Sequence, residues 1–315
     1  MPELAVATVV AKNYVSFARV LAESFLRQHP DIPFFALLSD EVDGHFDPAA
    51  EPFCLVRQDE LGIPDLPRLR TRYDRRQMAV ASKPYLLSHL LDRGFGSAIF
   101  LDPDIWVLGR LDHLFSRVRE HAVVLMPHLL APLSGEDGVE RELNILRSGV
   151  YNGGFVGVSA RPSARAFLRW WQERVHEHCR HDVAHGVYFD QRWLDLAVVF
   201  FKDVSIFRDA SYNVAHWNLP ERAVRVVDDA ITVDGRPCRF FHFSGFDPDR
   251  PHAVTRYSPR LDMSNVGPAA EVCRRYLALL AKAGYQETKG WSYAYGAPGA
   301  SDGSFRWLHR SRGDR

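Results

Sequence analysis

The chain has 315 residues, enough for about two domains or one large α/β unit with insertions. Its 46% hydrophobic and 25% charged residues exclude a disordered, collagen-like or disulfide-stapled protein. Lys plus Arg number 39 and Asp plus Glu 39, so no global field draws the chain to nucleic acid or to an anionic membrane, and any charged ligand must be met locally.

Leu4 to Val10 is short and apolar, and Lys12-Asn13 separates it from Ser16 to His29, where apolar residues recur at helical spacing. This predicts strand, loop and helix. Phe34 to Leu38 is a second buried strand, and Gly44 to Leu69 is an irregular, Pro-containing stretch. Met78 to Leu91 reads as a helix with Pro84 near a start or a kink. A third strand, Ala98 to Leu101, runs into Asp102-Pro103-Asp104, followed by a helix over Leu111 to Glu120 and an extended Val123 to Met126. Alternation of this kind predicts a doubly wound α/β fold with a mostly parallel sheet, whose ligands bind beyond the carboxyl ends of the strands. The second half is more mixed. It offers Val150 to Ser159, a helix from Ser163 to about His178 and a short helix near Asp190 to Leu194. Extended Val224 to Val227 and Arg239 to Phe243 then precede a last helix over Pro268 to Ala283. Residues 1–108 and 109–283 are expected to form two halves of the same domain, with 284–315 a loosely packed tail.

Asp102-Pro103-Asp104 is the sharpest chemical feature. Two carboxylates two positions apart on extended chain project to one side, and Pro103 fixes φ while donating no competing hydrogen bond. Both can face one hard cation, Mg²⁺ or Mn²⁺. His242, in Phe240-Phe241-His242-Phe243, is either a core residue or an imidazole ligand that favours Mn²⁺. Gly153-Gly154 removes two Cβ atoms in succession, as a ligand close to the backbone or a β-bulge requires, and Asn152 beside them has both a donor and an acceptor. Lys83 is either an exposed lysine at a helix start or a cation for phosphate.

The strand, Asp102-Pro103-Asp104 and the following Ile105-Trp106-Val107-Leu108 resemble the Asp-x-Asp signature of GT-A nucleotide-sugar glycosyltransferases. The ordered set of matches over about residues 4 to 252 most resembles the family 8 type, which includes glycogenin and bacterial lipopolysaccharide galactosyltransferases. Thr8, Asn13 and Tyr14, at and after the first strand, resemble the nucleotide-binding loop, and Lys83 takes the place of a basic donor-binding residue. Asn152-Gly153-Gly154 resembles the Asn-x-Gly segment, Asp190-Gln191 the Asp-Gln pair at the sugar, and His242 to Gly245 the His-x-x-Gly metal motif. The resemblance implies a metal-dependent transferase that moves a sugar from a nucleoside diphosphate, UDP first, to a hydroxyl on a glycan, lipid or protein. Asp102, Asp104 and His242 would hold the metal, Asp102 also touching the donor, with Gln191 near the anomeric carbon and Asp190 on donor hydroxyls. Retention would follow, the leaving diphosphate serving as base. An inverting enzyme needs a carboxylate base instead, for which Asp190, Asp195 and Asp247 are available.

The chain departs from that family after Gly245. Phe246-Asp247-Pro248-Asp249-Arg250-Pro251 stands where a Lys-Pro-Trp element is usual, and Arg250 is the candidate replacement for its phosphate-binding lysine. Trp217-Asn218 is a candidate acceptor wall. Two other signals lead nowhere: His176, His178, His181 and His185 read as a solvated helix end, and Gly94-Phe95-Gly96 lacks the third glycine of a dinucleotide fingerprint. A sugar nucleotidyltransferase needs a Gly-rich first loop, and Thr8 to Val15 has no glycine; a non-catalytic glycan-binding domain is the other alternative. Cys54, Cys179, Cys238 and Cys273 form no C-x-x-C pair, and no basic leader or apolar run of ~18 residues occurs, so a cytoplasmic location is expected, with peripheral membrane contact left open to Arg306, Arg310, Arg312 and Arg315.

Overall fold

The computed structural model describes residues 3–295. Its elements in chain order begin with β1 (Leu4–Val10), α1 (Val15–Gln28), β2 (Phe34–Leu38), β3 (Cys54–Arg57), α2 (Leu66–Arg72), α3 (Arg75–Ala81) and α4 (Lys83–Asp92). They continue with β4 (Ser97–Leu101), β5 (Ile105–Val107), α5 (Asp112–Glu120), β6 (Val123–Pro127), α6 (Gly138–Ser148), β7 (Tyr151–Ser159), α7 (Pro162–His178) and α8 (Leu194–Phe200). The chain then runs through β8 (Val204–Ile206), β9 (Phe240–His242), α9 (Ala269–Lys282) and α10 (Tyr285–Thr288). Short strands Val224–Val227, Ala230–Val233 and Arg236–Pro237 form a separate antiparallel sheet before β9.

The central sheet has seven strands in the order β8-β6-β7-β4-β1-β2-β3. It is mostly parallel: β1 pairs in parallel with β2 and β4, β2 with β3, and β8 with β6, whereas β7 runs antiparallel between β4 and β6. Every residue of β1, β2, β4 and β6 is buried, as strands covered on both faces must be. Ala5, Ala7 and Val9 face a core shared with Leu86, Leu90, Phe167 and Trp171 of α4 and α7. Leu4, Val6 and Val10 face one shared with Leu21, Phe25, Leu114 and Phe115 of α1 and α5. A third core joins α1 and α9 to β9, where Phe243 stacks on Tyr276 with ring centroids 3.7 Å apart.

Three expectations are corrected, and one helix is added. The stretch read as irregular holds β3, an edge strand whose Cys54 is exposed and whose four residues are too few to display a period. The helix read over Met78 to Leu91 is two helices: α3 ends at Ala81, and after Ser82 α4 begins at Lys83 with Pro84 in its first turn. Helix α6 went unread; it leaves Val139, Leu143 and Leu146 exposed, so its apolar spacing does not face the core. The tail is not loose where it is described. Thr288 Oγ1 donates to Ser16 Oγ at 2.9 Å, Trp291 lies on His45 and Phe46, and the Ala294 amide donates to Asp40 Oδ1 at 2.9 Å. The remainder of that tail, with Arg306, Arg310, Arg312 and Arg315, lies outside the described residues.

Candidate metal and donor site

The site is built at the carboxyl end of β4. There the chain turns through Pro103 into β5, and β9 pairs antiparallel with β5, setting His242 opposite Ile105. Two backbone bonds fix the approach: the Asp102 amide donates to Gly154 O at 2.8 Å, and the Phe243 amide donates to Asp104 O at 2.8 Å. Asp102, Asp104 and His242 each present one ligand atom, and these atoms lie within 4.8 Å of one another. His242 Nε2 is 3.1 Å from Asp104 Oδ1 and 3.7 Å from Asp102 Oδ2. Asp104 Oδ1 and His242 Nε2 are buried, and neither makes a directional hydrogen bond. Burial disfavours the Asp104 carboxylate, but the His242 imidazole beside it outweighs that cost and holds its pKa below the usual range.

This donor set fits a divalent cation. Two hard carboxylate oxygens and one imidazole nitrogen converge, and two of these atoms, Asp104 Oδ1 and His242 Nε2, are buried without a hydrogen-bond partner, which a cation resolves and an ordinary core does not. Gly154 makes room for them. A Cβ there would stand 2.8 Å from Asp102 Oδ2 and from Asn152 Oδ1, and closer still to His242 Cε1.

Lys83, at the start of α4, is buried rather than exposed. Its Nζ lies 3.1 Å from Asp102 Oδ1 and 3.1 Å from Asp190 Oδ2, and donates to Gly153 O at 2.9 Å. Burial opposes its charge, yet Asp102 and Asp190 together hold its pKa above the ordinary value. Asp190 is itself buried, which raises its pKa against the lowering effect of Lys83. Gln191 is committed at both ends of its amide: Nε2 donates to Ser148 O at 2.9 Å, and Oε1 accepts from the Gly153 amide at 2.9 Å. It fastens the end of α6 to β7 immediately beside Asp190.

Thr8, buried within β1, has an unpartnered hydroxyl, and Asn13 Oδ1 is likewise buried without a partner. Tyr14 stacks on Phe17 at 4.5 Å, and its hydroxyl accepts from Arg256 at 3.4 Å. Gly245 adopts φ 73°, and a Cβ there would meet the Tyr257 ring at 2.6 Å and Thr255 Oγ1 at 2.7 Å, so this glycine seats the segment that carries Arg256. Arg76 of α3 lies over Phe189 at 4.4 Å and near Tyr257 at 5.9 Å.

Arg256 and Arg76 were not singled out by the sequence, because nothing in their neighbourhood marks them and only the turn at Gly245 and the start of α3 aim them at Tyr14 and Tyr257. Arg250 is not among the residues brought together. Its side chain is exposed and lies 4.0 Å from Asp247, on a loop where Asp249 pairs with Lys289. Asp195 accepts from the Val150 amide at 2.8 Å and pairs with Arg192. Trp217 packs edge-on against His242 and His128, with centroids 5.2 and 5.0 Å away. Among the described residues the four histidines around Cys179 form no metal cluster; His185 pairs with Asp182, and His178 accepts from Arg180.

No protein-family model matches the chain. Among curated proteins it is similar to the uncharacterized protein YfnD of Bacillus subtilis, 25% identical over 202 residues. That match covers 62% of this chain and 62% of YfnD, under two thirds of its length. Among solved structures it is similar to the galactosyltransferase LgtC in complex with donor and acceptor sugar analogs, at 17% identity over 88% of this chain and 95% of that one, with a TM-score of 0.46. It is also similar to the glycosyltransferase GlyE of Streptococcus pneumoniae, at 15% identity over 91% of this chain and 64% of GlyE, with a TM-score of 0.49.

Proposed function

We propose that the chain is a metal-dependent glycosyltransferase of the GT-A type, moving a sugar from a nucleoside diphosphate, most simply UDP, to a hydroxyl acceptor. The observation that carries this reading is the Asp102, Asp104 and His242 cluster beyond the end of a parallel strand, with Lys83 and Asp190 against it. Mn²⁺ suits the mixed oxygen and nitrogen donors better than Mg²⁺, and when bound it would stabilise charge on the departing diphosphate.

The roles of the side chains follow from their surroundings. Thr8 and Asn13 have uncommitted polar atoms for the nucleoside, and Tyr14 a ring face. Arg256 and Arg76, whose neighbours are phenols and rings, supply the guanidinium forks that Arg250 was expected to give. Lys83 keeps Asp190 charged and oriented toward the sugar hydroxyls. Gly153 and Gly154 leave space for Asp190, Asp102 and His242 at the edge of the site, and Asn152 lies behind them. Asp190 is ion-paired with Lys83, Asp195 is bound to the Val150 amide and Arg192, and Asp247 sits by Arg250, so none of the three is a free base. This favours retention, in which the leaving diphosphate takes the acceptor's proton. Gln191, bonded at both ends of its amide, acts by holding the floor of the site rather than as a nucleophile.

The acceptor is a hydroxyl on a glycan, lipid or protein. Cysteines 54, 179, 238 and 273 are all free, which suits a cytoplasmic setting, and no helix among the described residues is long and apolar enough to cross a membrane. The test is a screen of nucleotide sugars for Mn²⁺-dependent hydrolysis, followed by anomeric analysis of the product. Asp104→Asn should lower that hydrolysis by about 10²-fold or more. Turnover by this variant at the wild-type rate would refute the metal assignment, and pyrophosphate release from a nucleoside triphosphate would favour a nucleotidyltransferase.

A further inference from the structure

A buried chain of hydrogen bonds runs behind His242, and its direction can be worked out from its far end. His128 Nδ1 lies 3.0 Å from the Val150 carbonyl oxygen, which only accepts, so Nδ1 carries the proton. Burial lowers the His128 pKa to about 4, so the ring is neutral and its Nε2 must accept. The group 3.2 Å from that nitrogen is therefore the Asn152 amide Nδ2, whose other neighbour at 3.4 Å is Gln191 Oε1, already an acceptor for the Gly153 amide. With Nδ2 so placed, Asn152 Oδ1 accepts from Asn213 Nδ2 at 3.3 Å. Asn213 Oδ1 is left facing His242 Nδ1 at 3.1 Å, and that ring nitrogen must donate.

We propose that Asn213, backed by Asn152 and His128, is a positioning residue that fixes which nitrogen of His242 is presented to the metal. Nδ1 keeps its proton in the bond to Asn213, which leaves Nε2 as the nitrogen whose lone pair faces the space between the two carboxylates. The reference point of the chain is a backbone carbonyl, so the ring cannot settle with the other nitrogen protonated without reversing three side chains. The backbone reinforces this: His242 N donates to Val214 O at 2.7 Å, and Asn213 itself sits at φ 52°, a conformation that asparagine tolerates and most residues resist. Groups behind metal-bound histidines commonly set affinity in this way.

The proposal rests on the metal reading, and its test separates the two. Mn²⁺ binding to the full chain is followed by electron paramagnetic resonance, and the protonated nitrogen of His242 by ¹⁵N resonance in the Mg²⁺-loaded protein. Asn213→Gly suits the backbone and removes the acceptor; it should weaken Mn²⁺ by about 10- to 100-fold and leave His242 exchanging between its two neutral forms. Asn213→Asp keeps an acceptor for Nδ1 while setting an oxygen against Asn152 Oδ1. It should bind Mn²⁺ within about threefold of wild type although its melting temperature falls. If the wild-type chain binds no Mn²⁺, the metal reading fails and this inference with it. If the wild type binds and Asn213→Gly matches it with a single His242 form, or if Asn213→Asp loses as much affinity as Asn213→Gly, the positioning role alone is overturned.

Discussion

Replacing Gly154 with alanine tests the site through a single methyl group. The added Cβ would lie 2.8 Å from both Asp102 Oδ2 and Asn152 Oδ1, about 0.6 Å inside an ordinary contact of about 3.4 Å, and it would strike His242 Cε1 harder. None of the three can retreat freely. Asp102 is held by Lys83, Asn152 by His128, and the His242 ring by Asn213 and the edge of Trp217. Overpacking of this kind costs about 1–3 kcal/mol, and moving a reacting group by about 1 Å costs about 10²-fold in rate. Gly153→Ala is the matched control. Its Cβ would meet Asp190 Oδ2 at 3.2 Å and Gln191 Cβ at 3.3 Å, contacts relieved by shifts of a few tenths of an ångström. Mn²⁺ titration, metal-dependent donor hydrolysis and thermal unfolding should therefore show Gly154→Ala severely impaired and Gly153→Ala within about tenfold of wild type. Equal behaviour of the two variants, or a Gly154→Ala protein that binds Mn²⁺ normally, would refute the crowding argument.

Lys83→Met leaves the Asp102 and Asp190 carboxylates facing each other without their shared cation, and should destabilise the metal-free protein by about 3–5 kcal/mol in denaturant titrations; a loss below about 1 kcal/mol would show that Lys83 does not hold that pair. Arg256→Gln should weaken UDP about 10-fold or more in calorimetry while leaving uridine unaffected, whereas equal losses for both ligands would place Arg256 away from the phosphates. His29 accepts from the Leu111 amide at 3.0 Å, and burial, with Arg110 adding to it, lowers its pKa from 6.5 to about 4. The folded-state pKa lies below the unfolded one, so this contribution is complete above pH 6.5 and is lost as the pH falls toward 4. At about 1.4 kcal/mol per pH unit, discounted for solvent screening, about 2 kcal/mol should disappear by pH 4.5. The stability gap between wild type and His29→Gln should narrow by that amount, and parallel pH profiles would exclude the effect.

Legibility in the sequence followed burial. Strands β1 and β2 were read to the residue because both of their faces are covered, which turns them into unbroken apolar runs. Helix α6 was missed because its apolar side chains face solvent, and β3 because an edge strand of four residues carries no period. In the site, Asp102, Asp104 and His242 stood out because carboxylates after a strand and an imidazole among phenylalanines are chemically conspicuous. Asn213 and His128 did not, since a hydrogen-bond chain is formed by side chains from separate strands and loops and leaves no spacing behind. Arg256 was hidden for a related reason: its place depends on the left-handed turn at Gly245, ahead of it in the chain.

Pairing of β9 with β5 brings Asp104 and His242, far apart along the chain, into one cluster through only three residue pairs. A ribosome-bound first half thus owns two carboxylates but no chelate. On the metal reading proposed above, a divalent ion would find its full ligand set only once β9 has paired with β5, and a bound ion would resist unzipping of that pair.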